Sequence, residues 1–475
     1  MDPRESPGLG QIQGALAVVA EGTDPGASGH LDPGLGVHHR DMRFDMRLHT
    51  IRVLHAGSGG APLPGVFLMA SASAVMLCGY EILRSVSASL FIEAYGTANL
   101  PLVMAGSPIG LLALVYVYGR LLSRVGASRA LVATSALSTA VLLACFLGLR
   151  AGSRASTAVL YIFREGYVVL LIEQYWSFIN SVLTPDQARK VNGPVVGLSS
   201  LGSVLGGVLV HRLAAGLGSH ALVAVGAVSL LPAALLSVLA YRLGGEPRPA
   251  PAEAGGRQGQ IGLRVLLRSR LLLAILGMIW LTQVVATVYE LRFNSLVAEA
   301  RPLADERSAY LGGFYATLNG IAAAMQFLVA PLALRFLSLR VIHVAIPLVH
   351  IATGIFLLVR SSLWSGGAAL LLFKALDYSV FRAAKEIFYL PLSFDARYRS
   401  KQLIDAFGYR FSKATTSGMI ALATRASGAI PATAFPLAAM VASALWSALA
   451  ARLSAHGAGA SGAGPARTES PVSSS

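Results

Sequence analysis

Between Pro62 and Leu453 the sequence runs through twelve apolar stretches, each long enough to cross a bilayer as a helix. The hydrocarbon core offers the backbone no hydrogen-bond partner, so a spanning helix must satisfy its own bonds over about 20 residues. The stretches fall at 62–84, 99–119, 128–149, 156–180, 192–214, 220–242, 269–297, 308–334, 341–359, 366–393, 402–424 and 430–452. Barrel strands do not fit, since they run to about 10 residues and alternate in polarity. Charged residues make up 13% of the chain and hydrophobic residues 55%. An average soluble domain is about 25% charged, so an ordinary soluble enzyme and a disordered chain are both excluded.

The longest polar interruption, 243–268, is rich in Gly and Pro and divides the twelve runs into six and six. The expected units are a cytoplasmic tail over 1–61, a six-helix bundle over 62–242, a cytoplasmic linker over 243–268, a second bundle over 269–453 and a disordered tail over 454–475. The first tail lacks a basic start followed by an apolar core, so it is not a signal peptide. Its stretch Met42–Leu48 is basic and weakly amphipathic, which suits a membrane surface; a disordered tail fits equally. Cys78 and Cys145 lie inside apolar runs and read as small buried hydrophobes.

The net charge of +15 raises the question of nucleic acid. The arginines, however, lie in the short segments between runs rather than in one patch, which is the signature of the positive-inside rule. With the N-terminus in the cytoplasm, 21 Lys and Arg residues collect on the cytoplasmic side and 7 on the other. Both termini are therefore expected inside a cell (inner) membrane, with the lipid bilayer as a partner and no nucleic acid.

The two halves repeat weakly. Tyr80-Glu81 and Tyr289-Glu290 are 209 residues apart, and so are Asp186 and Asp395, Glu165 and Lys374, and Glu173 and Arg382. Two six-helix halves related by a parallel repeat are the architecture of major-facilitator transporters. The expected fold class is an all-α integral membrane protein of twelve transmembrane helices in two major-facilitator-like halves. A charge near the bilayer centre costs about 2.5–3.5 kcal/mol on insertion scales. Such charges concentrate in the first, fourth, seventh and tenth runs: Glu81 and Arg84; Arg164, Glu165 and Glu173; Glu290 and Arg292; Lys374, Asp377, Arg382, Lys385 and Glu386. Asp405, Arg410 and Lys413 add to these from the eleventh. The equivalent helices of four three-helix units would line one central cavity, and mixed charge there suits an anionic solute. Structural ion pairs between helices are the plainer reading of any one of these residues. Glycines of the fifth run (Gly193, Gly197, Gly202, Gly206, Gly207) suit close helix packing. No nucleophile arrangement, phosphate loop or metal-ligand spacing is present in the sequence, so no catalytic residue, metal or cofactor is expected.

The tenth run carries a more specific signal. Tyr378-Ser379-Val380-Phe381 is followed by Lys385-Glu386-Ile387-Phe388-Tyr389-Leu390-Pro391-Leu392, then Lys401, Ile404-Asp405, Arg410 and Lys413. This resembles the ATP/ADP translocase (nucleotide transport protein) family, whose motif runs Tyr-Ser-Leu-Phe, then Lys-Glu-Met-Ala-Tyr-Ile-Pro-Leu, then Gly-Lys-Ala-Ala-Ile-Asp. Ile82-Leu83-Arg84, Trp176 through Lys190, Glu290 and Ser308 through Phe314 add to the likeness, which spans 62–425. Ser87 and Ala88, Asn294 and Leu296, and Arg382-Ala383 depart from it where the family has charged residues or Asp-Pro. The resemblance implies a nucleotide or related organic anion moved by alternating access. The residues it and the charge pattern single out for substrate are Arg84 and Lys385 for anionic groups, Glu290 and Glu165 for coupling or polar recognition, and Lys374 and Glu386 as supporting charges. With several cations missing, the solute is expected to be less charged than ATP. A proton-coupled carrier of another solute and a non-transporting scaffold or sensor are the alternatives. A cysteine engineered into the 243–268 linker is expected to resist an impermeant thiol reagent added outside intact cells. Labelling there would reverse the orientation.

Overall fold

The computed structural model describes residues 63–245, 263–389, 404 and 408–460. The tail over 1–61, residues 246–262 of the linker, the motif residues Leu390 to Leu392, Asp395, Lys401 and Asp405, and the end of the chain lie outside the described residues.

Twelve long helical runs follow one another, with no strand among the described residues. The first half holds α1 (Leu63–Tyr95), α2 (Leu100–Val125), α3 (Ala127–Arg150), α4 (Arg154–Val182), α5 (Pro185–Leu217) and α6 (Ser219–Gly244). A short turn, Leu263–Arg268, precedes the second half. There α7 is Arg270–Ala300, α8 is Ala304–Phe336, α9 is Leu339–Val359, α11 is Tyr409–Ser427 and α12 is Ala434–Ala460. Helix α10 is made of Leu363–Leu376, a widened π-helical turn Asp377–Phe381, and Arg382–Ile387. Ten of the runs are apolar and long enough to cross a membrane. Of the other two, α11 is polar along its length, and α10 begins apolar over Leu363–Leu376 and is then interrupted by the widened turn.

Local chemistry sets the ends. Gly96, Gly126, Gly218 and Gly428 take positive φ where α1, α2, α5 and α11 stop. Thr184 and Ser362 cap α5 and α10 with reciprocal hydrogen bonds. A second widened turn, Met325–Val329 in α8, comes just before Pro331, which has no N–H to give the carbonyl one turn back. One boundary departs clearly from the expected runs. Helix α1 goes on 11 residues past Arg84, to Tyr95. Ser85, Ser87 and Ser89 are buried there, and the Ser85 hydroxyl donates to the Glu81 carbonyl at 3.1 Å, so polar residues stay inside the helix. Glu81 and Arg84 thereby move from a helix end to the middle of one.

Within the first half α1 packs on α4, α5 and α6; within the second α7 packs on α10, α11 and α12. The halves meet chiefly through α5 with α8, α2 with α11 and α1 with α8. Glycine makes the tightest of these approaches possible. A Cβ on Gly202 would lie 2.1 Å from the Ala74 carbonyl oxygen and one on Gly206 would lie 2.2 Å from that of Cys78, both on α1. One on Gly207 would lie 2.6 Å from the Gly312 oxygen on α8. Gly193 faces open space and Gly197 has a single neighbour at 4.0 Å, so close packing explains only three of the five α5 glycines.

Gly206→Val is expected to lower the melting temperature of the detergent-solubilised protein, consistent with an overpacking cost of about 1–3 kcal/mol or more. Gly216→Val, on the same helix where a Cβ meets nothing within 4 Å, serves as the control and is expected to leave it nearly unchanged.

Candidate functional site

Lengthening α1 carries Tyr80, Glu81 and Arg84 to the level of α4, α7 and α10. There a cavity of about 200 Å³ lies between the halves, lined by these three, Glu165 on α4, Glu290 on α7, Asn319 on α8, Lys374 and Tyr378 on α10, and Lys413 on α11. Tyr80 and Arg84 are one turn apart, as are Lys374 and Tyr378, so each pair shares a helix face.

Each carboxylate in the cavity has a cation beside it. Arg84 Nη1 is 3.3 Å from Glu81 Oε1, Arg164 Nη2 is 3.1 Å from Glu165 Oε1, and Lys413 Nζ is 3.3 Å from Glu290 Oε2. Arg164 stands behind the lining, where its guanidinium donates to the Arg84 carbonyl at 3.3 Å and lies 4.3 Å from the centre of the Tyr161 ring. Arg84 also sits 3.8 Å over the ring of Tyr315, which belongs to α8 in the other half. Glu165 and Lys413 are shared with a smaller crevice of about 40 Å³ between α2, α4 and α11, which Arg410 also lines.

Four of the residues singled out in the sequence therefore line one cavity: Arg84, Glu165, Glu290 and Lys374. Lys385 and Glu386 do not line it. Lys385 is buried, 3.5 Å from Glu386 Oε1, with its ammonium 5.3 Å from the centre of the Tyr409 ring and 5.6 Å from that of Tyr389. On a regular α-helix the interval from Lys374 to Lys385 is close to three whole turns, which would put both on one face. The π-helical turn Asp377–Phe381 lies between them and swings the rest of α10 by about a quarter turn. Arg292 is also directed elsewhere, to Glu299 at 3.2 Å and Ser361 at 2.7 Å. Ser87, Asn294 and Leu296, where the resemblance would place charges, are buried among helices and do not line the cavity.

Lys413, Asn319, Tyr80 and Tyr378 were not singled out as site residues. Lys413 had a legible signal, an isolated lysine among small and apolar residues. Asn319 had none, because a single amide in an apolar run is as often a packing residue. The repeated Tyr-Glu pair splits in space. Tyr80 faces the cavity, while Tyr289 turns to α9 and donates to the His350 carbonyl at 2.7 Å.

The halves are joined at the end where α1 and α7 finish. There Asp305 Oδ1 on α8 accepts from the Ser219 backbone N–H at the start of α6, at 2.6 Å. Ser219 Oγ donates to Ser308 Oγ at 2.8 Å, His211 Nδ1 donates to the Ala309 carbonyl at 3.1 Å, and Arg307 donates to the Ser89 carbonyl at 3.2 Å. The four hydrogen bonds between Asp305, Ser219, Ser308, His211, Ala309, Arg307 and Ser89 thus close the bundle at that end. Glu173 and Arg382, one on each half, are exposed.

This arrangement has solved counterparts. The chain superposes on a bacterial homologue of the iron transporter ferroportin in an inward-facing state, with a TM-score of 0.63 at 13% identity, covering 82% of this chain and 99% of that one. It superposes on an auto-inhibited POT family peptide transporter with a TM-score of 0.57 at 14% identity, covering 82% and 97%. A bacterial homologue of the lysosomal transporter Spinster, inward-facing and unoccupied, gives 0.54 at 14% identity, covering 84% and 97%. This is the major-facilitator fold. No family model matches the chain, and no curated protein matches it by sequence. The ATP/ADP translocase resemblance therefore rests on the motif residues alone.

Beyond the packing of α5 on α8, the hydrogen bonds of Asp305, Ser219, His211 and Arg307 are what joins the halves at the closed end. Asp305→Ala is expected to raise the reactivity of a cysteine placed at Ala309 toward an impermeant thiol reagent several-fold, by weakening the cap that Asp305 gives to α6. Unchanged reactivity would mean that the α5–α8 packing alone holds that end.

Proposed function

We propose that the chain is a membrane transporter that works by alternating access and moves a small organic anion through the cavity between its halves, and that it is not an enzyme. The observation that carries this reading is the cavity itself: charged side chains of both halves converge on one space between them. A scaffold that merely kept the fold would gain nothing from holding this much charge in the bundle, at a cost of about 2.5–3.5 kcal/mol for each unmatched group. On the orientation that the Lys and Arg count favours, the hydrogen-bonded end where α1 and α7 finish faces away from the cytoplasm of a cell (inner) membrane. The resemblance to ATP/ADP translocases suggests nucleotides as one solute class. Proton coupling is a second reading, favoured by one specific observation: three carboxylates, Glu81, Glu165 and Glu290, share the cavity.

Glu290→Gln is expected to abolish uptake into proteoliposomes while leaving membrane yield near normal, because the Lys413 it leaves behind is one-quarter exposed to the cavity. An unstable variant with normal specific transport would make Glu290 a structural ion-pair partner instead. An imposed pH gradient that drives uptake would support proton coupling.

A further inference from the structure

We infer that the cavity selects solutes with a single negative charge, and that Lys374 is the residue on which that charge rests. The inference builds on the transporter reading and narrows its solute class.

It follows from the charge ledger of the site. Glu81, Glu165 and Glu290 each have a cation within 3.1–3.3 Å. Lys374 has no ion pair within 4 Å among the described residues; its ammonium is 5.6 Å from the centre of the Tyr378 ring, and Glu290 and Asp377 are the carboxylates that feel its charge from further off. Arg410 of the neighbouring crevice is itself engaged. Of the cations that line the cavity, Lys374 is thus the one not held in an ion pair. Beside it the same cavity offers Asn319, whose side-chain nitrogen is buried with no hydrogen-bond partner, and Tyr378. An ammonium, an amide N–H and a phenol form the donor set for one carboxylate, sulfonate or phosphodiester group.

A second negative charge has no such place to go. To receive it, Arg84 or Lys413 would have to leave Glu81 or Glu290, stranding a carboxylate in a partly dehydrated site. Size points the same way. Pockets for drug-sized ligands run to about 300–1,000 Å³, and this one is smaller, at about 200 Å³.

The test uses the full-length protein in proteoliposomes. Labelled pyruvate, a benzenesulfonate and a small phosphodiester represent monoanions. Succinate, AMP and ATP represent higher charges, and alanine and glucose represent zwitterionic and neutral solutes. Saturable uptake is expected for at least one monoanion, with a higher kcat/KM than for any solute of higher charge. Lys374→Gln is expected to weaken its binding by about tenfold to a hundredfold, since one charge-assisted hydrogen bond is lost. Lys374→Arg is expected to retain most of it, and gel filtration and melting temperature check that both variants fold. Preferred uptake of succinate, AMP or ATP would overturn the inference and leave the transporter reading standing. So would preferred uptake of alanine or glucose, or monoanion uptake indifferent to Lys374→Gln. If no probe is taken up or raises the melting temperature of the unaltered protein, the transporter reading itself fails.

Discussion

A charge set among apolar helices must be matched by an opposite charge or by water. This chain carries its charges on the helices that line its centre, and the way it matches them shapes everything around the cavity. Glu81 is matched by Arg84 one turn along the same helix, and Glu165 by its neighbour Arg164. The Glu290–Lys413 pair joins α7 to α11 inside the second half. Two of these three pairs sit on a single helix and hold no helices together. Cohesion comes instead from apolar packing and from glycines that let backbones touch, as at Gly202, Gly206 and Gly207. The ion pairs make a polar surface that tolerates water, which is the condition for a cavity at mid-bundle.

The sequence made the helix count and the two halves legible because membrane burial writes a long, strong apolar signal. It was less informative where polar residues are buried by neighbours rather than by lipid. Helix α1 illustrates this. Reading hydropathy alone, the run stops at Arg84; in the bundle it continues through buried serines that bond back to their own helix. The site was legible in part for the same reason. Glu290 and Lys374 stand out as isolated charges in apolar runs, and both line the cavity. Lys385 and Glu386 stood out equally, through a motif, yet lie off it. Their direction depends on an extra residue in the turn Asp377–Phe381, which no periodicity in the sequence announces. Ser379 in that turn donates to the Ala375 carbonyl at 2.5 Å, a local competition with the helix ladder that becomes visible only in three dimensions.

The two widened turns fall at matching places. The one in α8 packs against the one in α10, and the α10 turn itself carries the cavity-lining Tyr378. Both belong to the second half, and the corresponding stretches of α2 and α4 are regular α-helix. The repeat in sequence is thus broken in structure. Weakening of the helix ladder is not confined to that half, since α6 is interrupted at Ser229, between Ser219–Val228 and Leu230–Gly244, where it packs on α1.

The contacts divide into two kinds according to what an alternating-access cycle would do to them. At mid-bundle, Glu81–Arg84, Arg164–Glu165, Glu290–Lys413 and Lys385–Glu386 each lie within one half. Moving the halves as rigid bodies would leave these four pairs intact. At the closed end the contacts cross between halves, but they are of a kind that water can replace: a carboxylate on a helix N-terminus, a pair of hydroxyls, an imidazole and a guanidinium on carbonyls. Parting them exposes each group to solvent as the contact is lost, so little is forfeited beyond the packing of α5 on α8. Arg84 is placed on the boundary between the two kinds. It is stacked on Tyr315 of the opposite half and paired with Glu81 of its own helix. On the proposed cycle, separation of the halves would take the ring away and leave the carboxylate beside the guanidinium. A residue with one partner in each half, of which only the weaker is lost, lets the bundle change shape without stranding a charge.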